Sequence, residues 1–160
     1  EEYGIGCRKG SDLAAYINTV LAESYADGSM AEIAATYGIE DALVEQPAAE
    51  EFTPAESDSD VAYIQDKGTL IVGITEFEPM DYRDENGEWI GFDADMAKLV
   101  AEKLGVEPVF TVINWDNKVF ELNGKGIDVV WNGMTITTAA QEAMECTNAY
   151  CNNAQVVVTK

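Results

Sequence analysis

At 160 residues, 47% of them hydrophobic, the chain can bury one core and is too short for two full-sized domains. Its 30 acidic residues against 9 basic ones give a formal net charge of -21, which repels phosphate backbones and anionic lipid surfaces and argues against nucleic-acid or membrane-surface binding. With no histidine, and with the 3 cysteines Cys7, Cys146 and Cys151 in no CxxC spacing, zinc sites and histidine-dependent catalysis have nothing to start from, and no metal or cofactor is expected.

No run approaches the roughly 18 apolar residues of a membrane span. Glu1 and Glu2 are the opposite of a cationic signal-peptide start, so the sequence reads as a mature or trimmed soluble chain. Residues 3–7 have strand character. Leu13, Tyr16, Ile17, Val20 and Leu21 then recur at helical spacing, with Ser11 able to cap the start and Gly28 the end. Ser29 and Glu32 make a capping-box pattern ahead of Ile33 and Tyr37, with Gly38 as the stop. The stretch QPAAEEFTPAESDSD, 46–60, is acidic, carries two prolines and has little to bury; it predicts a solvated linker between 1–45 and 61–160, which together form one domain.

Beyond the linker, strands alternate with helices, the pattern of a mixed, mainly parallel sheet flanked by helices in an α/β three-layer sandwich. TLIVGIT (69–75) predicts a buried strand. FDADMAKLVAEKLG (92–105) predicts a helix with Asp93 as cap and Gly105 as stop. EPVFTVIN gives the next strand, WDNKVFELNGKG a short helix, IDVVWNG a third strand and QVVVTK a last one. A bridge between Cys146 and Cys151 requires the intervening turn to bring them close; otherwise the cysteines are small core residues.

In sheets of this kind ligands sit at the carboxyl ends of the strands. The stretches that follow those ends, 75–82, 114–116 and 132–138, contain the aromatic faces Phe77, Tyr82 and Trp115, and then Asn132, Gly133, Met134 and Thr135 with the nearby hydroxyl of Thr137. Aromatic walls, hydroxyls and backbone amides near Gly133 suit a small zwitterion. Each has a plainer role open to it: Trp115 as a packing residue, Thr135 and Thr137 as helix caps, and Asp81, Asp84 and Glu85 as surface charges around the DENGE turn.

The segments GITEFEPMDYRDENGEWIGFDADMAKLVAEKLGV, INWDNKVFELNGKGIDVVWNGMTIT and NNAQVVVTK resemble, in order, the first half of lobe 1 in the polar amino-acid solute-binding proteins of ABC importers. The segment at 1–38 is similar to that family's C-terminal portion, which crosses back from lobe 2 to complete lobe 1. The resemblance implies a single lobe of a periplasmic-binding-protein type II fold with its two pieces in circularly permuted order. Lobe 2 is missing. An engineered permutant joined through the linker, or a fragment across a junction between tandem binding proteins, would both give this order.

It further implies a protein that is not an enzyme and binds a small polar amino acid for uptake through an ABC permease. The location implied is extracytoplasmic, periplasmic or lipid-anchored at the cell surface, and binding by one lobe alone is expected to be weak or absent. The arginine that the family places after its GMTIT corner falls on Ala140, so the corner is expected to be a carboxylate shelf without its cation. Alternatives are a structural folding module with no ligand, a sensor-type ligand-binding domain, or an enzyme such as the dehydratases of cyclic acids that share this fold. The last would have to work through carboxylates such as Glu76, Asp81 or Asp116. A bare aromatic cleft favours self-association, which the high negative charge opposes.

Overall fold

In chain order the elements are β1 (Glu2–Cys7), α1 (Leu13–Asp27), α2 (Ser29–Thr36), a 3-10 turn (Glu40–Ala42), α3 (Asp60–Lys67), β2 (Thr69–Ile74), β3 (Tyr82–Arg83), β4 (Trp89–Ile90) and α4 (Phe92–Leu104). They continue with β5 (Glu107–Val112), a second 3-10 turn (Trp115–Asn117), α5 (Lys118–Asn123), β6 (Val129–Thr135), α6 (Thr138–Ala143), β7 (Glu145–Cys146) and β8 (Cys151–Asn152). The computed structural model describes residues 2–48, 51–56, 59–78 and 80–152; the strand expected in QVVVTK lies outside these.

The main sheet runs β5-β2-β6-β1-β7, with β8 also pairing β1. β2 is parallel to β5 and β6, whereas β1 is antiparallel to β6, β7 and β8. The sheet is thus mixed and flanked by helices, as expected. One core packs α1, α2, α3 and α4 onto one face through residues such as Leu13, Ile17, Met30, Ile64, Met96 and Trp131. A smaller cluster, Leu122, Ile127, Val130, Met134, Ala140 and Met144, packs α5 and α6 onto the other. Among the described residues no helix is long and apolar enough to cross a membrane.

The sequence YGIGC explains why β1 sits mid-sheet. Tyr3, Ile5 and Cys7 fill the larger core, while Gly4 and Gly6 leave the other face flat, where Ile136 and Met144 approach closely enough that a Cβ would meet them at 2.6 Å. The register with β6 shifts between Gly4, opposite Met134, and Gly6, opposite Val130, so β6 bulges across Trp131–Gly133. Opposite the bulge the Ile5 N–H donates to Thr147 Oγ1 at 3.0 Å.

Several local expectations need correction. Ser29 and Glu32 form no capping box: the Ser29 N–H donates to Asp27 Oδ1 instead, at 2.8 Å. The helix α3 begins at Asp60, inside the span assigned to the linker, and is capped by Ser59 Oγ, which accepts from the Ala62 N–H. The described residues before it are mostly exposed, but the segment is anchored at three points. Phe52 packs edge-on against Tyr16 (5.2 Å between ring centres), the Gln46 side chain is buried and donates to the carbonyls of Val44 and Ala149, and the Ala55 N–H reaches Asp12. Its one aromatic residue finds apolar cover that composition alone does not reveal.

All three cysteines are free. Cys146 lies opposite Gly6 and Cys151 opposite Tyr3, on opposite faces and three strand positions apart, about 10 Å at 3.3 Å per residue. That exceeds the Cα separation a disulfide spans.

At the amino ends of β2 and β6 a buried charge network joins three elements. Arg8 donates through Nε and Nη2 to Asp60 Oδ1 (3.2 and 2.7 Å), through Nη2 to Asp128 Oδ1 (2.8 Å), and through Nη1 to the carbonyls of Leu122 and Ile127 (3.1 and 2.7 Å). Asp128 also accepts from Lys67 Nζ (2.6 Å) and the Ile71 N–H (2.8 Å). The cleft lies at the other end of the sheet.

Candidate ligand cleft

Where β2 and β6 end side by side, Asn132 locks the two strands together. Its Oδ1 accepts from the Thr75 N–H (3.1 Å) and its Nδ2 donates to Thr75 Oγ1 (2.6 Å). One residue on, Gly133 takes φ +60, the left-handed conformation that completes the bulge, and the Phe77 ring packs where a side chain would stand. The Phe77 ring is held edge-on by Tyr3 at 6.2 Å. Beyond these strand ends opens a cleft of about 640 Å³, also lined by Trp115, Lys118, Val119, Met134, Thr135, Thr137, Ala139, Ala140, Ala143 and Met144.

The structure therefore brings Phe77, Trp115, Asn132, Gly133, Met134 and Thr135 to one place. Tyr82 is elsewhere. The Phe77 N–H and the Asp81 carbonyl close a tight turn that sends Tyr82 into the β3–β4 hairpin, where its ring meets Tyr37 edge-on at 6.2 Å.

The Gly133 N–H, expected to await a ligand carboxylate, is already committed to Asp93 Oδ2 at 2.7 Å. Asp93 is accordingly not the cap of α4, a position taken by Gly91; it reaches across to the bulge and accepts from the Tyr150 hydroxyl at 2.6 Å. Of the two threonines, Thr137 caps α6 by accepting from the Ala140 N–H (3.0 Å).

Trp115 opens the 3-10 turn ahead of α5, and Lys118 stands three residues later on the same face, its Nζ 4.5 Å from the centre of the indole. The corner is thus not without a cation: Ala140 lines the cleft uncharged, but Lys118 lines it too. In the sequence nothing but the i+3 spacing from Trp115 marks Lys118.

Behind the cleft lies a second surprise. Asp81 is fully buried rather than a surface charge, and neither of its carboxylate oxygens has a hydrogen-bond partner among the described residues. Burial, and then the charge of Asp93, pushes Asp81 well above the usual carboxylate range. Burial pushes Asp93 up to about 7, against the opposing pull of its bonds from Tyr150 and Gly133.

Gly133→Ala is expected to cost more than Gly68→Ala. Both glycines have positive φ, for which a side chain costs about 1–2 kcal/mol. At Gly68 the added Cβ meets open space, whereas at Gly133 it overlaps the Phe77 ring. Urea unfolding of the two variants should separate them by a further kcal/mol or so; equal losses would show that Phe77 moves aside freely.

Residues 70–160 match the protein-family model described as bacterial extracellular solute-binding proteins, family 3. The chain belongs to that family. Among solute-binding relatives, the L-cystine-binding protein TcyA of Bacillus subtilis is 36% identical over 102 residues, 62% of this chain and 37% of that protein. Cyclohexadienyl dehydratase of Pseudomonas aeruginosa is 30% identical over 97 residues, 60% of this chain and 36% of that enzyme. The crystal structure of the ancestral amino acid-binding protein AncCDT-1, a precursor of cyclohexadienyl dehydratase, is 38% identical with a TM-score of 0.51, covering 52% of this chain and 37% of that one. The chain spans about a third of the length of the curated relatives it matches.

Proposed function

We propose that the chain is a lobe 1 half-site of an amino-acid-binding protein serving ABC-transporter uptake, in permuted order and weak as a binder on its own. One observation carries this reading: every residue lining the cleft falls within the segment that matches the solute-binding family. The relatives' names point to amino acids as the ligand class. The place of action follows the family's extracellular character, periplasmic or lipid-anchored at a cell surface, with lobe 2 and a permease as the partners of the whole protein.

The permuted order is supported by the N-terminal part. The family match begins at residue 70, yet β1, α1 and α2 belong to the same core and β1 occupies a central place in the sheet. Weak binding follows from the cleft's inventory. Among the described residues no carboxylate lines it to receive an ammonium group, so a zwitterion would be held at one end only.

The same inventory favours binding over turnover despite the dehydratase relative. Glu76 and Asp116 are exposed and outside the lining and Asp81 is buried behind it, which among the described residues leaves no carboxylate acid or base facing a substrate there.

Isothermal titration calorimetry against the common L-amino acids and L-cystine tests the reading. Saturable binding of one of them is expected, with a Kd on the order of 0.1–1 mM, abolished by Trp115→Ala. No heat from any would leave the lobe as a folding scaffold. Sedimentation of the same samples reads self-association, which ligand should reverse if the cleft is the contact.

A further inference from the structure

We infer that Lys118 makes the cleft an anion-accepting site, which takes ligands carrying a carboxylate and turns cationic side chains away from the face of Trp115. The inference rests on the reading of the cleft as a ligand site and adds the charge class of what enters it.

Lys118 is the one ionisable side chain lining the cleft among the described residues. Arg8 and Lys67 are neutralised by Asp60 and Asp128, and Lys98 lies near Asp95. Among the described basic residues Lys9, Arg83, Lys103 and Lys125 lie outside ion-pair distance of a carboxylate, but none of them lines the cleft. Lys118 likewise makes no ion pair among the described residues. Its ammonium group rests 4.5 Å above Trp115 and donates only a long bond, 3.4 Å, to the Trp115 carbonyl. An ammonium has three donors, so Lys118 retains capacity for an incoming acceptor.

The hydroxyls around it are polarised the same way. Thr75 Oγ1 accepts from Asn132 and Thr137 Oγ1 accepts from the Ala140 N–H, so each hydroxyl hydrogen is left to donate outwards. Cation and donors together ask for an anion. The same placement works against cations: the indole face, the natural seat of a cationic group, is engaged by the chain's own lysine, and a second positive charge there meets repulsion.

The test uses the whole chain in a Trp89→Phe background. This removes the half-buried tryptophan beneath Arg83 and leaves Trp115 as the quenchable fluorophore beside the fully buried Trp131. Quenching is measured with iodide and with caesium at about 0.1 M, where the Debye length of about 10 Å screens distant acids and leaves Lys118 to dominate at the indole. Iodide should quench better than caesium in spite of the net charge of -21. Lys118→Met should lower the iodide-to-caesium ratio about threefold, and Lys118→Arg should keep it. An unchanged ratio in Lys118→Met overturns the inference.

Calorimetry with L-glutamate and L-arginine adds a second arm. A preference for L-glutamate of about tenfold, lost in Lys118→Met, supports the inference, and a preference for L-arginine in the parent overturns it. If neither amino acid gives heat while the iodide preference still depends on Lys118, the half-site reading fails and the anion-accepting cleft stands.

Discussion

Replacing Arg8 by methionine should lower the unfolding free energy by about 3–5 kcal/mol. The guanidinium is only about 10% exposed, and it serves two carboxylates and two carbonyls at once. Removing it leaves Asp60 and Asp128 facing each other across space that water does not reach freely. Lys67 still holds Asp128 and Ser11 still donates to Asp60, which places the loss toward the lower end of that range.

Arg8→Lys should recover little, because a point charge cannot reproduce the five bonds of the planar fork. Urea unfolding of both variants checks this. A loss below about 1 kcal/mol, the worth of an exposed ion pair, would mean that the network is wetter and weaker than its geometry indicates.

Stability should fall as the pH is raised from about 4 through neutrality. Asp93 is pushed up from an ordinary 3.8 to about 7, and Asp81 beside it is raised as well, chiefly by burial. Between those two values the folded chain keeps a proton that the unfolded chain has released. Each pH unit therefore favours unfolding by about 1.4 kcal/mol for every proton so retained.

The groups facing the pair are the Tyr150 hydroxyl and the Gly133 N–H, both donors to Asp93, and the Cys151 thiol, itself pushed up to about 12 by burial and then by Asp93. General repulsion among the surface acids slopes the same way, so the informative quantity is the difference made by Asp81→Asn. That variant removes the unpartnered carboxylate and should flatten the slope between pH 5 and 8 while raising stability at pH 8. Parallel urea midpoints for parent and variant would show that the pair bears no part of it.

The strands β2, β5 and β6 and the helices α1 and α4 were legible because their signals are local: unbroken apolar runs, helical spacing, and a glycine at each helix end. The helix α3 was not, because its acidic start continues the composition of the linker and only Ser59 marks the boundary. The site was legible where strand ends dictate position, as for Asn132 to Thr135, and where an aromatic residue follows a strand, as for Phe77 and Trp115.

It failed at Tyr82 and Asp81, whose places depend on a turn between Phe77 and Asp81 and on α4 closing over Met80. Both contacts are made by backbone groups, which carry no side-chain signature. For the same reason Asp93 read as a helix cap: a carboxylate in a first helical turn usually serves its own helix, and nothing local announces a bond to Gly133, 40 positions away.

The central position of β1 has a consequence for how the molecule comes into being. Ile5 meets Thr147 across 142 positions, and Arg8 meets Asp128 across 120. As this stretch leaves the ribosome, β1 has to wait for β6, β7 and β8 to emerge, and closing so large a loop precedes any reward from the contacts it makes. The sheet is therefore finished after synthesis of this stretch rather than during it. Until then β1, with Tyr3, Ile5 and Cys7, stays unpaired, which makes the nascent chain a client for whatever shields unpaired strands in the cell that produces it.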